Sequence, residues 1–267
     1  MGYEFNAAVV KQQIIEWIRL WFAKHGPECN AVVGISGGKD SSVVAALCAE
    51  ALGPDRVIGV LMPNGYQSDI EDSHAVINAL GIRQRTINIA AAVGTIENQV
   101  RDELGTVSEQ AKINLPARIR MSALYAVSQS ANGRVANTCN LSENYIGWET
   151  LWGDSAGDFA PLAELTVGEV IEIGLLCHDL PINLVMKTPS DGLCGKTDEE
   201  SFGFSYKELD SYLRSEVYGS PEPHAGLAAD VVKKIEAMHD KSRFKAFACN
   251  IPSFPYTDLR IMLDSSV

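Results

Sequence analysis

A glycine-rich segment near the start of the chain, GISGGKDSS at residues 34–42, has the residue types of a phosphate-binding turn. Two adjacent glycines permit a tight turn and the close approach of a ligand, and the N–H groups at the start of a helix attract anions. Lys39 adds a positive charge there, whereas Asp40 would repel a phosphate unless a Mg²⁺ ion lay between them. An ordinary strand-to-helix turn with serine caps is the alternative. The whole pattern, which follows a short apolar run, favours the phosphate site.

Two other phosphate-binding motifs are disfavoured. The chain contains no GxGxxG, the glycine pattern of dinucleotide-binding sheets. The segment SDGLCGKT at residues 190–197 approaches the Walker A spacing, but Ser190 stands where the first glycine is required. A Rossmann dehydrogenase and a P-loop NTPase are therefore both disfavoured.

The elements that must position the glycine-rich turn alternate along the chain. Short apolar runs predict strands at 31–36, 57–63, 84–89 and 134–139. Helical spacing predicts an N-terminal helix that ends near 25–28, and further helices at about 41–53, 70–80, 91–104, 108–131, 166–178, 205–214 and 223–240. Strands separated by helices predict an α/β fold, in which helices flank a doubly wound parallel sheet. Such sheets bind ligands at the carboxyl ends of their strands.

Charge and composition exclude several classes of partner. The formal net charge of −12 disfavours binding to nucleic acid, which requires a basic surface. Charged residues interrupt the apolar pattern of the N-terminal segment, and no apolar run approaches the length of a membrane span. The six cysteines form no CxxC pair. We expect a cytoplasmic protein with reduced thiols and no membrane partner.

Longer segments carry a resemblance to a known family. SGGKDSS resembles the signature of the ATP pyrophosphatase, or PP-loop, superfamily. Five more segments resemble the NAD synthase family in its ammonia-dependent form: NLPARIRM (114–121), NTCNLSENYIGW (137–148), GDSAGDFAPLAELT (153–166), KTPSDGL (187–193) and KTDEESFGFSYKELDSYL (196–213). The resemblance implies an adenine nucleotide alpha hydrolase-like fold.

The same resemblance implies a reaction. The enzyme would amidate deamido-NAD with ammonia and form NAD, AMP and diphosphate through an acyl adenylate, with ATP as co-substrate and Mg²⁺ as cofactor. A carboxylate resists ammonia because its carbon is electron-rich, so activation by adenylation must come first. Two alternatives stay open: another PP-loop enzyme with a different acceptor, and a nucleotide-binding module that has lost catalysis.

The resemblance also assigns roles to individual residues. It implies catalytic roles for Lys39 and Asp40, and Mg²⁺ ligation by Asp40 and Glu143. The implied ATP contacts are Gly34, Ile35, Ser36, Gly37, Gly38, Lys39, Asp40, Ser41, Thr138 and Ser190. The implied deamido-NAD contacts are Arg118, Asp158, Phe244 and Lys245.

Two positions depart from the family pattern. Leu151 stands where many members have a lysine near the deamido-NAD site, and Val167 stands where some have an ATP-contacting lysine, so each removes a cation from a site for anionic ligands. Lys187, Lys196 or a partner subunit is expected to compensate. The segment 191–204 resembles the family's mobile loop over the active site.

The expected organisation is a single domain over 1–267. It comprises an N-terminal helix at 1–28, the sheet core at 29–140, and substrate loops with C-terminal helices at 141–267. No glutaminase domain is expected, so free ammonia or a separate glutaminase must supply the nitrogen. The resemblance implies a homodimer, for which the N-terminal helix is a candidate contact.

Overall fold

The computed structural model describes residues 5–187, 197–218, 226–246 and 251–255. Its centre is a parallel sheet with the strand order β3-β2-β1-β4. The strands are β1 (Asn30–Gly34), β2 (Val57–Leu61), β3 (Arg83–Thr86) and β4 (Gly133–Val135). All four strands predicted from the apolar runs are confirmed, each shorter than predicted.

The described helices connect these strands and then cover the carboxyl end of the sheet. They are α1 (Ala7–His25), α2 (Lys39–Leu52), α3 (Ile70–Leu80), α4 (Ala90–Leu104), α5 (Glu109–Ser130), α6 (Leu141–Ile146), α7 (Val167–Leu175), α8 (Ile182–Val185), α9 (Asp198–Phe202), α10 (Tyr206–Tyr218) and α11 (Ala229–Ala246). Gly81, in the left-handed region, ends α3 as predicted.

The sheet is covered by helices on both faces. Ala31 and Val33 point into a core that includes the buried residues of α1, α2 and α7. Val32 of the same strand points to the opposite face, where Ile58 and Val60 pack against residues of α4 and α5. This alternation along fully buried strands is what a parallel sheet between two helical layers requires. The predicted doubly wound α/β fold is confirmed.

A third apolar cluster lies outside the sheet. It joins α6 and the first residue of α7 to helices α9, α10 and α11, and its fully buried centre contains Leu209, Leu213 and Ile235. Because α6 begins shortly after β4 ends, this cluster holds the C-terminal helices next to the strand ends. The helices therefore add side chains to the edge of the sheet where ligands bind in such folds.

Two helix starts differ from the sequence prediction. Helix α2 begins at Lys39 rather than near Ser41, because Gly38 takes the capping position. Helix α11 begins at Ala229 rather than near 223, and Gly226, in a turn, has a φ of +85°. Polar residues 39–42 give little periodic signal at the start of α2, and the positive φ of Gly226 keeps α11 from beginning before it.

The cysteines and the apolar character of the helices bear on the expected thiols and membrane contacts. The described cysteines, Cys29, Cys48, Cys139 and Cys177, are buried free thiols. Burial raises the pKa of Cys48 to about 12, which keeps that thiol protonated and unreactive. Within the described ranges, no helix combines the length and the apolar character that a membrane span needs.

Candidate active site

The glycine-rich turn links the end of β1 directly to the start of α2. Gly34 is the last residue of β1, and Gly38 caps α2. Gly37 has a φ of +79°, and a Cβ atom there would lie 2.7 Å from the Cβ of Asp72. Both the conformation and the close approach of α3 exclude a larger residue at Gly37. The turn therefore directs the first N–H groups of α2 to the carboxyl edge of the sheet, as an anion site requires.

Serine hydroxyls hold this turn in shape. The Ser36 and Ser41 Oγ atoms are 3.1 Å apart, and the N–H group of Gly38 donates to Ser36 Oγ at 3.2 Å. Ser42 Oγ donates to the Gly38 carbonyl at 2.7 Å. Ser41 and Ser42 are buried, whereas Ser36 is exposed. Ser36 is thus the hydroxyl best placed to meet a ligand, and the other two support the turn.

Asp40 uses both of its carboxylate oxygens. Oδ1 accepts a hydrogen bond from Asn140 Nδ2 at 3.0 Å, and Oδ2 lies 2.8 Å from Lys39 Nζ. Lys39 is only 3% exposed, so its charge requires compensation. Burial disfavours that charge, but the carboxylates of Asp40, Glu143 and Asp198 outweigh burial and raise the pKa of Lys39. Lys39 is therefore a cation embedded in a set of acids.

Glu143, in the first turn of α6, belongs to the same electrostatic unit. Loss of hydration and the charge of Asp40 raise the pKa of Glu143 to about 8, while Lys39 opposes the increase. The N–H group of Glu143 donates to Asn140 Oδ1 at 3.0 Å, so Asn140 caps α6. Among the described residues, no group of three or more His, Cys, Asp or Glu side chains is arranged to hold a metal ion. The carboxylate pair of Asp40 and Glu143 is the set that sequence predicted.

A tyrosine and an aspartate from the C-terminal helices enclose Lys39. The ring centroid of Tyr206 is 5.7 Å from Lys39 Nζ. Tyr206 Oη donates to Asp198 Oδ2 at 3.0 Å, and both side chains are buried. Sequence reasoning missed both residues because their segment is far from the turn along the chain. It also missed Asn140, although Asn140 and Glu143 have the spacing of a helix cap, a signal that was available.

A second group of predicted contacts meets at the loop after α6. Arg118 Nε donates to the Leu151 carbonyl at 3.1 Å. Lys245 Nζ donates to the carbonyls of Gly147 at 2.7 Å and of Glu149 at 2.5 Å. The structure therefore brings Arg118, from α5, and Lys245, from α11, to the same short loop. Phe244, beside Lys245, is 63% exposed.

The remaining predicted residues are dispersed around the strand ends. Asp158 Oδ2 accepts the Val135 N–H group at 2.7 Å, and its Oδ1 accepts Tyr125 Oη at 3.3 Å, so this carboxylate ties a loop to the end of β4. Thr138 follows β4 on the path toward Asn140. Ser190 lies outside the described residues, as do 191–196 of the predicted mobile loop.

Val167 is one of the two positions at which the family pattern has a lysine and this chain has an apolar residue. It is 4% exposed and packs in the cluster of C-terminal helices. Lys187 Nζ lies 3.1 Å from Asp69 and 2.7 Å from Asp72, the residue that flanks Gly37. The charge of Lys187 is thus paired with two aspartates beside the glycine-rich turn, and its expected compensating role stays a prediction. Lys196 lies outside the described residues.

Comparison with known proteins identifies the family to which this chain belongs. The model of the NAD synthase family matches residues 10–248. The chain belongs to the NAD synthase family. An NH3-dependent NAD(+) synthetase of Pyrococcus furiosus is 42% identical over 193 residues, covering 72% of this chain and 74% of the relative. The resemblance seen in the sequence motifs is therefore confirmed.

Solved structures of similar proteins agree with that family. The NMN synthetase of Francisella tularensis has a TM-score of 0.79 at 31% identity, with 91% of this chain and 96% of that chain covered. The NH3-dependent NAD synthetase of Campylobacter jejuni has a TM-score of 0.76 at 25% identity, with 91% and 97% covered. The NAD synthase chain described here thus has relatives named for two different products.

Proposed function

We propose that this member of the NAD synthase family is an ammonia-dependent NAD synthetase. It joins ammonia to the nicotinate carboxylate of deamido-NAD, with cleavage of ATP to AMP and diphosphate. The observation that carries the proposal is the electrostatic interaction of the Asp40 and Glu143 carboxylates beside a glycine-rich turn, where Asn140 bonds the side chain of Asp40 and the main chain of Glu143. A helix start for phosphates beside two carboxylates for a cation is the combination that adenylation by ATP needs.

The reaction requires two displacements. A carboxylate oxygen of deamido-NAD attacks the α-phosphorus of ATP, and diphosphate leaves to give an acyl adenylate. Ammonia then attacks the acyl carbon, AMP leaves with the attacking oxygen, and the nitrogen loses a proton to give the amide. The turn at 34–41 contributes by orienting the phosphates, since a displacement at phosphorus depends mainly on positioning and charge stabilisation.

Asp40 and Glu143 suit a Mg²⁺ ion. Mg²⁺ in proteins is commonly held by one or two carboxylates together with substrate phosphates. Burial, together with the charge of Asp40, raises the pKa of Glu143, and a bound dication would favour its charged form. When bound, the ion would neutralise charge on the phosphates during adenylation. The chain's own part is to hold the two carboxylates in place beside the Lys39 ammonium.

The proposed ligand contacts form two groups. For ATP they are Gly34, Ile35, Ser36, Gly37, Gly38, Lys39, Asp40, Ser41, Thr138 and Ser190. For deamido-NAD they are Arg118, Asp158, Phe244 and Lys245. The shared loop that receives Arg118 and Lys245 supports a common role for these two residues. Their charges suit the pyrophosphate of a dinucleotide.

A second candidate differs in the acceptor. The similarity to the Francisella tularensis NMN synthetase favours nicotinic acid mononucleotide as an alternative substrate, with NMN as the product. The chemistry of the reacting carboxylate would be the same, but the substrate would lack the adenylate half of the dinucleotide. The contacts made by Phe244 and Lys245 would then have no dinucleotide partner.

One assay separates these functions. Purified protein is incubated with ATP, Mg²⁺, ammonium and either deamido-NAD or nicotinic acid mononucleotide, and NAD or NMN is measured together with AMP and diphosphate. We expect equal amounts of NAD, AMP and diphosphate, no product when any one component is omitted, and a higher kcat/KM for deamido-NAD. A higher kcat/KM for the mononucleotide would establish the second candidate. AMP and diphosphate without either amide would contradict both.

We also propose that the protein is a homodimer in the cytoplasm, where thiols such as the buried Cys29 and Cys139 remain reduced. The apolar face of α1, which includes Ile14 and Ile18, is buried inside the subunit. That face is unavailable as a contact between subunits, but Val9 and Leu20 of α1 are 50% and 63% exposed, so the helix stays a candidate contact as expected.

A further inference from the structure

Asn140 connects the side chain of Asp40 to the main chain of Glu143, the two proposed metal ligands. Its Nδ2 atom donates to Asp40 Oδ1 at 3.0 Å, and its Oδ1 atom accepts the N–H group of Glu143 at 3.0 Å. The side chain is fully buried. Asn140 thus uses one end of its amide on each of two segments that are about a hundred residues apart along the chain. An amide is the side chain that can donate at one end and accept at the other.

The two partners of Asp40 differ in how easily they can be replaced. Lys39 Nζ, on Asp40 Oδ2, is a point charge at the end of a flexible stem, and another cation can take its place. Asn140, on Asp40 Oδ1, is fixed because its other end caps α6. Asp40 Oδ1 therefore keeps its hydrogen bond to Asn140. Oδ2 is the oxygen that can coordinate an incoming cation.

We propose that Asn140 is a positioning residue that sets Asp40 and Glu143 as a pair of Mg²⁺ ligands and reserves Oδ2 of Asp40 for the ion. The proposal rests on the proposed function only in its choice of Mg²⁺ as the ion. Mg²⁺ demands a near-ideal arrangement of its oxygens, so a displaced carboxylate weakens its binding. Groups that orient metal ligands through hydrogen bonds commonly affect metal affinity by about 10- to 100-fold.

A purely structural role for Asn140 makes a different prediction. As a helix cap alone, it would affect the stability of α6 and not metal binding in a protein that remains folded. Asn137 provides the matched control, because it is also buried and lies on the same segment. Its Nδ2 atom donates to the carbonyls of Asp154 and Ala156, and its Oδ1 accepts the Cys139 N–H group. None of these bonds reaches Asp40 or Glu143.

Two substitutions separate the cap from the contact to Asp40. Asn140→Ser retains a good capping oxygen, but its side chain is too short to reach Asp40. Asn140→Thr also retains a capping oxygen and fills more of the space, but its side chain is again too short to reach Asp40. Binding of Mn²⁺, a probe suited to the same oxygen ligands, is measured by electron paramagnetic resonance in the presence of ATP and without deamido-NAD or ammonium. Thermal unfolding of each variant is recorded alongside.

The proposal predicts a specific pattern. Both Asn140 variants should bind Mn²⁺ about 10- to 100-fold more weakly than the unmodified protein and need more Mg²⁺ for half-maximal turnover. Asn137→Ser should bind Mn²⁺ normally even where it lowers Tm. If Asn140→Ser or Asn140→Thr folds and binds Mn²⁺ as the unmodified protein does, the proposal is overturned. The same holds if Asn137→Ser weakens Mn²⁺ binding equally.

The test is independent of the amidation reaction. If the unmodified protein forms no NAD but the Asn140 variants lose Mn²⁺ affinity, the proposed function fails and the positioning role stands. If NAD is formed and the Asn140 variants bind Mn²⁺ normally, only the positioning role fails. If the unmodified protein binds no Mn²⁺ in the presence of ATP, the assignment of Asp40 and Glu143 as metal ligands is itself overturned.

Discussion

Asp40 is the residue at which separate parts of the chain converge. It accepts hydrogen bonds from its neighbour Lys39 and from Asn140 beyond β4, and its charge helps to raise the pKa of Glu143. Such convergence on one carboxylate suits an ion that must be held in a defined geometry. It also explains why a lysine can be buried here, since several acids surround it.

Asp40→Asn tests whether this carboxylate serves catalysis. The amide keeps the shape but removes a charge that the ion would need, so turnover should fall by about 100-fold or more. Affinity for ATP without metal should change little, because the N–H groups of the turn remain. Asp55→Asn, at an exposed position, is the control. A module that only binds nucleotide would show no metal-dependent turnover before or after the substitution.

Glu149 gives the fold a dependence on pH. Burial, with a smaller contribution from Asp154, raises the pKa of Glu149 to about 7 from its ordinary 4.5, and Lys245 opposes the increase. Its Oε2 atom is buried and has no hydrogen-bond partner among the described residues. Between pH 4.5 and 7 the native carboxyl holds a proton that the unfolded chain has lost. The free energy of unfolding must therefore decrease as pH rises through this window, and the contribution is constant outside it.

Glu149→Gln should remove that dependence. The decrease in unfolding free energy from pH 4.5 to pH 7.5 should be about 2 kcal/mol smaller in Glu149→Gln than in the unmodified protein, a value reduced for the partial exposure of the side chain. Urea denaturation at the two pH values measures the change. Glu236→Gln, at an exposed position of α11, should retain the pH dependence of the unmodified protein. An unchanged slope in Glu149→Gln would show that this carboxyl is ionised in the native state.

At the scale of elements, α11 is docked through a glycine. Gly147 ends α6 with a φ of +68°, and a Cβ atom there would lie 2.1 Å from the Cβ of Ser242 in α11. The Gly147 carbonyl also accepts the Lys245 ammonium. Because Phe244 and Lys245 are at the end of this helix, the close contact at Gly147 determines where two proposed dinucleotide contacts lie.

Gly147→Ala should displace α11. The left-handed conformation and the clash with Ser242 together should cost about 2–4 kcal/mol of unfolding free energy. Hydrogen exchange in α11 should accelerate. Gly81→Ala is a matched control, because Gly81 also ends a helix with a positive φ, of +62°, yet has open space where the Cβ would be. It should cost about 1 kcal/mol. Equal losses in the two variants would argue against a specific docking contact.

Features that depend on local sequence patterns could be predicted, whereas features that depend on tertiary packing could not. The strand and helix alternation, and the turn at 34–42, depend on local patterns, and the structure confirms both. The group of Arg118 and Lys245 at one loop follows from the resemblance and not from any local signal. Asp198 and Tyr206 reach Lys39 only because the C-terminal helices pack over α6 and α7, a tertiary arrangement that no spacing along the chain encodes. The predicted start of α11 near 223 was wrong because Gly226, with a φ of +85°, cannot belong to the helix.

At the scale of the whole molecule, the distribution of exposed apolar residues bears on the proposed dimer. The 22 residues of α5 include only Pro116 and Ser128 as buried positions, and the neighbouring α4 buries Val93. Ile113 on α5 is 44% exposed and Leu104 at the end of α4 is 73% exposed. Helix α1 packs one apolar face within the subunit, although its Val9 and Leu20 are exposed. The face formed by α4 and α5 is thus the better candidate for a contact between subunits.

The dimer is testable with one pair of substitutions. Sedimentation equilibrium should give about twice the chain mass of 28.9 kDa. Ile113→Glu should shift the protein toward the monomer, because it introduces a charge into the proposed contact. Val9→Glu, at a position of α1 that is 50% exposed, should leave the dimer intact. A monomer at assay concentrations, or dissociation caused by the Val9 variant instead, would contradict this assignment.

The most direct test of the account follows oxygen atoms through the reaction. Deamido-NAD labelled with ¹⁸O in both oxygens of its nicotinate carboxylate is converted with ATP, Mg²⁺ and ammonium, and the AMP and NAD are analysed by mass spectrometry. Activation as an acyl adenylate predicts one ¹⁸O in each AMP formed, with the other retained in the amide of NAD. Unlabelled AMP formed together with NAD would contradict attack of the carboxylate on the α-phosphorus, and with it the central claim.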